Sequence, residues 1–581
     1  MNTVKSNYIK LRITVVGILF AVCLAFIGAK AGYLQIYQSS CLAEKAADQY
    51  ERPFKELGKR GTIYDANLRE MAVSINATSI AAYPSKIQDT AATAKMLANS
   101  LNIDSKILQR RLLAKKPFIW VKRQATPKEV NAVKSLNLDG VGFLSETSRF
   151  YPQKTLAAQT IGFTGLDGNG LEGIEFYYDN QLKGSNFEYV VLKDALGQGF
   201  NSEKTTTDYS GKNIVLTIDQ TIQYITEKAL KEAVDENDAK SGIAVVMSPK
   251  TGAILSIAQY PSLNPNSYEK FDKHLWRNRA ITDPFEPGST MKIFTAAAAI
   301  EHGNCSENTI FFCENGEYRI GKDIIHDTHP YGWLTLKEVV KLSSNIGASK
   351  VVKKTGPESL YRTLKDFGFG EKTGINCPGE TSGTVTPYKN WRAIDVGAIS
   401  FGQGISASPL QIISAVSAIA NDGILMKPYI VQAIMDQKGL TVSRFDPIPV
   451  RQAVSSTTAG KLKDILMSVT EKDGTGFNAA LEGYTVCGKT GTAQKTDETG
   501  RYAKGKYISS FVGFTPAENP EIAVLVILDE PTKNHYGGIV AAPAFSKIAQ
   551  ETLTYLNVPP KNRKTDGLTV SKPLEKNKVV I

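Results

Sequence analysis

From Ile13 to Ala29 the chain carries no charge, and its apolar character resumes beyond Lys30 as Ala31-Gly32-Tyr33-Leu34. With its flanks the run approaches the ~20 residues a helix needs to cross a bilayer. A lone segment in hydrocarbon has no other option, because every backbone polar group must be satisfied within it. Lys5, Lys10 and Arg12 precede the run with no acidic residue among them, which predicts a cytoplasmic N-terminus. The competing reading is a cleaved signal peptide, with a shorter apolar region ending at a small-x-small site, and Ala25-Phe-Ile-Gly-Ala29 is a weak match. Length and the apolar residues after Lys30 favour a retained anchor. The expected order begins with a cytoplasmic tail over residues 1–12 and a single membrane-spanning helix over 13–34. Nearly all of the chain would then lie outside the cytoplasm.

The chain beyond the anchor has the composition of folded domains. The 581 residues are 42% hydrophobic and 22% charged, with 47 Gly, 25 Pro and six Cys, which excludes disordered, collagen-like and disulfide-dense scaffolds. The net charge of +11 arises from 68 basic and 57 acidic residues, and the clearest surpluses sit at the two ends. A nucleic-acid binder would gather such an excess on one element, so no nucleic-acid partner is expected. Residues 561–581 hold Lys561, Arg563, Lys564, Lys572, Lys576 and Lys578 against Asp566 and Glu575, and read as a solvated, disordered basic tail. Cys305 and Cys313 could pair in an oxidising compartment. No CxxC or Cys/His ligand spacing occurs, and five scattered His argue against a metal site or metal cofactor.

Residues up to about 210 are polar and irregular, with a helical stretch predicted over Thr90–Lys115 and a turn cluster at Gly165–Gly170. Near Asn213–Asp219 the texture becomes β-branched runs alternating with long helical patterns. Gly242–Met247 and Ala253–Ala258, joined by Pro249-Lys-Thr-Gly252, read as a hairpin. Ser289–His302 and Leu410–Ala420 read as apolar helices, Tyr507–Phe514 and Ile522–Leu528 as strands, and Ala542–Leu556 as a last amphipathic helix. Strands at both ends with helices between predict an α+β domain, an antiparallel sheet covered by helices.

Glu286-Pro-Gly-Ser289-Thr-Met-Lys292 places a serine at a helix start, with a lysine at i+3 on the same face. Free N–H groups and the positive dipole end there would favour an oxyanion. A lysine can activate such a serine only if its basicity falls far below normal, through desolvation and nearby positive charge. Alone the pattern is weak, since Ser267-Tyr-Glu-Lys270 repeats it in a charged stretch. Lys-Thr-Gly occurs four times, and only Lys489-Thr490-Gly491 lies on a strand-like run, Tyr484–Ala493. Ser-x-Asn recurs at Ser74 and Ser135, while Ser343-Ser-Asn345 ends a short helical segment opened by a capping box, Thr335-Leu-Lys-Glu338. The specificity lies in the order and context of the three.

That ordered set is the signature of penicillin-binding proteins and serine β-lactamases, and the chain resembles that superfamily. Asn278–Asp283, Ser343–Gly347, Phe401–Gly404 and Tyr536–Pro543 are similar to the class B, septal transpeptidases. Arg60-Gly-Thr-Ile-Tyr-Asp65 and Gly170-Leu-Glu-Gly-Ile-Glu175 are similar to their non-catalytic, dimerisation-type pedestal. The resemblance implies a pedestal over 35–210 and a transpeptidase domain over 211–560. It also implies cross-linking of peptidoglycan stem peptides at the division septum through a serine acyl-enzyme, in a bacterial cell membrane with the catalytic domain extracytoplasmic.

Ser289 would be the nucleophile, Lys292 its general base, Ser343 a proton shuttle and Asn345 a ligand of the substrate amide. Lys489, Thr490, Gly491 and Thr492 would hold the substrate carboxylate, and the Ser289 and Thr492 N–H groups would form an oxyanion hole. β-Lactams would acylate Ser289, no cofactor is implied, and the partners would be a septal glycan polymerase and other division proteins. Cys487 reads as a packed strand residue, and His326 and His329 as non-catalytic. Two departures stand out: Ala66 and Leu68 replace the pedestal's usual Arg and Gly, and Ser248 replaces a usual Asp. A β-lactamase would rarely carry the anchor and pedestal. An elongation-type enzyme shares the architecture, and a non-catalytic scaffold would not need intact Ser289, Lys292 and Lys489.

Overall fold

A computed structural model describes residues 2–114, 116–193, 199–200, 209–496 and 501–561. The expected disordered tail lies outside the described residues except for Lys561. The N-terminal run forms one helix, Asn2–Gly32, exposed along the part whose side chains are described. The backbone falls into two compact units, Met1–Lys59 with Gly184–Ser210, and Arg60–Lys183 with Gly211–Ile581. In the first, Glu51–Leu57 pairs antiparallel with Asn186–Lys193.

The second unit is built around two large sheets, with three two-stranded ones beside them among the described residues. One is antiparallel throughout, in the order Ile254–Tyr260, Ser241–Met247, Ile522–Asp529, Tyr502–Thr515, Cys487–Thr496. Its central strands read as continuous apolar runs because both faces are covered. Ile243, Val245, Met247, Leu525 and Ile527 join a core containing Ile412, Ile413 and Val416 of the buried Pro409–Ala420 helix. Ala244, Val246, Val524, Val526 and Leu528 face the other way, into a core with Ile222 and Leu230 of Gln220–Glu236 and Phe545 and Ile548 of Ala542–Tyr555. The expected helix-covered antiparallel sheet is therefore present. Cys487–Thr496 is its edge strand, which leaves one side of that strand free to meet a ligand.

The other sheet runs Thr441–Arg444, Val431–Met435, Asn213–Leu216, Ile63–Tyr64, Glu70–Ala82, Ile119–Ala125, with Val141–Phe150 also on Glu70–Ala82. It draws strands from both sides of the boundary expected at residue 210, which is why Arg60–Lys183 clusters with the later residues. Arg60 and Glu175, from the two pedestal-like stretches, meet in this unit. Arg60 Nε donates to Glu175 Oε2 at 2.6 Å and its Nη1 to Asp179 Oδ1 at 2.6 Å. Arg149 Nε donates to the other Glu175 oxygen at 2.6 Å, and the Glu175 side chain is fully buried. Removing one member of such a buried pair typically costs ~3–5 kcal/mol, because the other charge stays buried.

One expectation needs correction, and one open question is answered. The stretch Thr90–Lys115 is two helices, Thr90–Leu101 and Ser105–Leu113, and Lys115 lies outside the described residues. Asn102 takes a left-handed conformation (φ 51°) that ends the first, and Asp104 caps the second by accepting from Ile107 N at 2.8 Å. Cys305 and Cys313 do not pair, and both are buried free thiols.

Candidate active site

Ser289 sits in a 3-10 turn, Gly288–Met291, that runs into the helix Lys292–Glu301. In a 3-10 turn residues i and i+3 eclipse, so Lys292 stands directly over Ser289, and Nζ lies 2.8 Å from Oγ. The turn is locked from outside. Gly288 (φ 55°) donates its N–H to Gly402 O at 3.1 Å, and a Cβ on Gly402 would lie 2.2 Å from Gly288 O. That close approach explains the glycine in Phe401-Gly-Gln-Gly404. The Glu286 carboxylate accepts from Gly404 N at 2.9 Å and from the Tyr502 hydroxyl at 3.2 Å.

The Ser343 turn arrives from the opposite side. Its capping box forms as expected, with Thr335 and Glu338 bonded reciprocally at the start of Leu336–Lys341. Ser343 then adopts φ 64°, a strained conformation for a residue with a side chain, and Asn345 opens the next helix, Asn345–Thr355. This twist turns the Ser343 carbonyl toward Lys292, where O lies 2.7 Å from Nζ, while Asn345 Oδ1 lies 2.7 Å and Ser343 Oγ 3.2 Å away. Lys489, fully buried, reaches in from the edge strand, with Nζ 3.0 Å from Ser343 Oγ. Ser343 Oγ is thus within hydrogen-bond reach of both lysines.

These neighbours decide what Lys292 can do. Ser343 O and Asn345 Oδ1 are pure acceptors, so together they take both N–H bonds of a neutral amine. The lone pair is then left for the Ser289 hydroxyl. Once protonated, the ammonium has three N–H bonds and three acceptors at 2.7–2.8 Å, so both states are accommodated. Burial lowers the Lys292 pKa to about 7, with the Asp327 charge opposing the fall. Burial also drives Lys489 well below the ordinary lysine range, and the charge of Lys292 adds to it. Among the described residues neither lysine is hydrogen-bonded to a carboxylate.

Along the edge strand, Gly491 is where the backbone presses on the nucleophile turn. A Cβ there would meet Ser510 Oγ at 2.2 Å, Thr290 Cγ2 at 3.0 Å and Pro287 O at 3.3 Å. Thr490 is buried, its hydroxyl held 3.2 Å from both Lys489 Nζ and Thr475 Oγ1. Thr492 is half-exposed, and its hydroxyl accepts from Gly537 N at 3.2 Å. Cys487 packs in the core, where burial raises its thiol pKa, which leaves it a poor nucleophile. His326 and His329 are exposed, and the His326 carbonyl accepts from Asn345 Nδ2 at 3.0 Å. Of the eight site residues expected from the sequence, Ser289, Lys292, Ser343, Asn345 and Lys489 are joined by hydrogen-bond distances, Thr490 is bonded to Lys489, Gly491 abuts the Pro287–Thr290 turn, and Thr492 follows on the same strand. The sequence reading missed Asp327, bonded behind the Ser343 turn, and the Glu286–Tyr502 tie. Asp327 follows a short strand and Glu286 precedes the Pro287 break, while Tyr502 opens the strand Tyr502–Thr515, and none of the three carries a local pattern to distinguish it.

The Ser289–Lys292–Ser343–Lys489 cluster is a candidate serine acyl-transfer site. The chain belongs to the class B penicillin-binding proteins, a family of serine peptidoglycan D,D-transpeptidases. Residues 242–550 match the penicillin binding protein transpeptidase domain, and residues 55–216 match the penicillin-binding protein dimerisation domain. It is 35% identical over 556 residues to the probable peptidoglycan D,D-transpeptidase PenA of Neisseria meningitidis, covering 94% of this chain and 93% of that protein. It is 33% identical over 585 residues to the peptidoglycan D,D-transpeptidase FtsI of Escherichia coli K12, covering 99% and 96%. Among solved structures, penicillin-binding protein 3 of Mycobacterium tuberculosis complexed with aztreonam has a TM-score of 0.69 and 28% identity, covering 87% of this chain and 98% of that one.

Proposed function

We propose that this protein cross-links peptidoglycan stem peptides at the division septum, anchored in the cell membrane by Asn2–Gly32 with its catalytic unit outside the cytoplasm. Lys292 accepts the proton of Ser289 as Oγ attacks the carbonyl carbon of the penultimate D-Ala. The tetrahedral oxyanion is held by the N–H groups of Ser289 and Thr492. The C–N bond then breaks, Ser343 passes a proton to the departing D-Ala amine, and a neighbouring stem's amine resolves the acyl-enzyme. Asn345 holds the substrate amide, while Lys489 and Thr492, backed by Thr490 and Gly491, hold the terminal carboxylate. β-Lactams acylate the same serine, since their carboxylate and strained amide meet the same groups. The observation that carries this reading is the 2.8 Å Ser289–Lys292 pair, with both N–H bonds of the neutral amine spoken for.

A fluorescent penicillin is expected to label the protein covalently, and Ser289→Ala to abolish labelling with the fold intact. Label on the Ser289→Ala protein would move the nucleophile elsewhere, with Ser267 the first suspect. Lys292→Ala should acylate ~10²- to 10⁴-fold more slowly, and a near-native rate would remove Lys292 from the base role. The septal assignment draws on the full-length likeness to FtsI, and a septal glycan polymerase and other division proteins are its natural partners. Depletion should give long, undivided cells; round cells with normal septa would redirect the chemistry to elongation.

A further inference from the structure

One carboxylate stands directly behind the catalytic turn. Asp327, just past the strand Asp323–His326, accepts at Oδ1 from the backbone N–H groups of Asn345 (2.5 Å) and Ile346 (3.0 Å). Its Oδ2 accepts from Ser344 Oγ at 2.5 Å. An ordinary capping serine would suffice here, because Ser344 already caps the Asn345–Thr355 helix by accepting from Gly347 N at 2.8 Å. The aspartate is therefore additional to the cap. What it fixes is the segment carrying the Ser343 carbonyl and Asn345 Oδ1, the two acceptors 2.7 Å from Lys292 Nζ.

Charge points the same way. Lys292 is faced by Ser289 on its own turn, by Ser343 and Asn345 from the turn opposite, by Lys489 from the edge strand, and by Asp327 from behind Asn345. Among these only Asp327 is negative. Around Asp327 itself lie Ser344, the Cys313 thiol and the Tyr331 phenol, while Lys350, one turn into the helix, is paired with Glu314 at 2.5 Å.

We infer that Asp327 is a positioning residue for acylation: it holds the turn that presents the Ser343 carbonyl and Asn345 Oδ1 to Lys292, and it is the one negative charge among the groups facing that lysine. The inference rests on Lys292 being the general base. Asp327 touches no reacting atom, and acts through Ser344 and the two backbone N–H groups.

The test is the pH profile of penicillin acylation in the full-length, detergent-solubilised protein. Asp327→Asn keeps the shape and removes the charge. It is expected to lower the plateau rate about tenfold and to move the acid limb to lower pH by about half a unit or more, as loss of a nearby opposite charge requires. Ser344→Ala keeps the charge and removes one hydrogen bond, so the plateau should fall while the limb stays. Asp327→Glu, charged but one methylene too long, should behave like Ser344→Ala. An Asp327→Asn protein with native plateau and limb would overturn the inference, as would a limb that moves equally in all three variants. If Asp327→Asn fails to fold, Ser344→Ala and Asp327→Glu decide: a displaced limb in either overturns it, and a lowered plateau with a fixed limb supports it. If instead Lys292→Ala acylates at a near-native rate, the base assignment itself has failed, which is a separate outcome.

Discussion

Ser289 and Lys292 are three residues apart in the sequence, but their 2.8 Å contact depends on a 3-10 turn that the triplet alone does not specify. The Pro287-Gly288 break and the Gly402 approach impose that turn, so the pair was legible and its geometry was not. The same division holds across the site. Ser343, Asn345 and Lys489 could be singled out by order along the chain. The strained φ of Ser343, which aims its carbonyl at Lys292, depends on how two helices meet. Asp327 had no local signal, because an aspartate in an Asp-Thr-His-Pro turn is indistinguishable from any other turn aspartate until the fold carries it to the Asn345 helix. The pKa of about 7 for Lys292 leads to a pH prediction. The proposed base would work in its neutral form, so lowering the pH through 7 would protonate Lys292 and remove activity. Acylation by penicillin should be level above about pH 8 and fall about tenfold per unit below pH 7. A rate independent of pH from 5 to 8 would show that some other group takes the serine proton.

At the scale of elements, the strands were the most legible, because Ser241–Met247 and Ile522–Asp529 are apolar on both faces and flanked by turn residues. The break in Thr90–Leu113 was less so, since Leu-Asn-Ile-Asp-Ser sits inside an otherwise helical composition and its meaning depends on one left-handed Asn102. Whether Cys305 and Cys313 pair was left open by the sequence, because spacing places cysteines along a chain but says nothing of the directions in which their side chains pack. One departure from the family pattern has a physical consequence. Leu68, in the place where the resemblance leads one to expect glycine, adopts φ 60° with its N–H donating to Asp65 O at 3.1 Å. The turn keeps a glycine conformation with a leucine in it, and the side chain is 59% exposed, so little packing offsets the strain. A left-handed non-glycine residue costs ~1–2 kcal/mol, and glycine returns ~0.5–1 of that through its freer unfolded chain. Leu68→Gly should therefore stabilise the unit by roughly 0.5–1 kcal/mol, read as a higher urea midpoint with an unchanged slope. A lower midpoint would mean that Leu68 packs against something that outweighs its backbone strain.

For the whole molecule, the anchor and the catalytic half were readable from sequence, whereas the sheet that mixes strands of residues 63–150 with those of 213–216 and 431–444 was not. Pairings as distant in sequence as Ile63 with Ile214 and Asn213 with Met435 leave no periodic trace in either partner. The Arg60–Glu175–Arg149 cluster is similarly non-local: three charges that look solvated in the sequence are buried together, and they fix three distant segments in one register. The anchor is the opposite case, since its behaviour is set by a contiguous stretch. The helix is long and apolar enough over Asn7–Tyr37 to cross a membrane. Tyr33 and Tyr37 stack at 5.9 Å at its far end, with Lys30 5.2 Å over the Tyr33 ring, the amphipathic composition that suits a bilayer interface. Lys5, Lys10 and Arg12 at the near end outnumber Lys30 at the far end, the bias expected of a helix whose N-terminus stays in the cytoplasm, and the proposed orientation rests on it. The protein should stay with membranes through high salt and alkaline carbonate, because apolar burial is indifferent to both. Protease added outside spheroplasts should digest the chain from about Ala31 onward while sparing a short N-terminal fragment. Release of the intact protein by salt alone would mean that the helix lies on the surface. Survival of the full chain in intact spheroplasts, with digestion only after lysis, would invert the orientation and separate the active site from an extracytoplasmic wall.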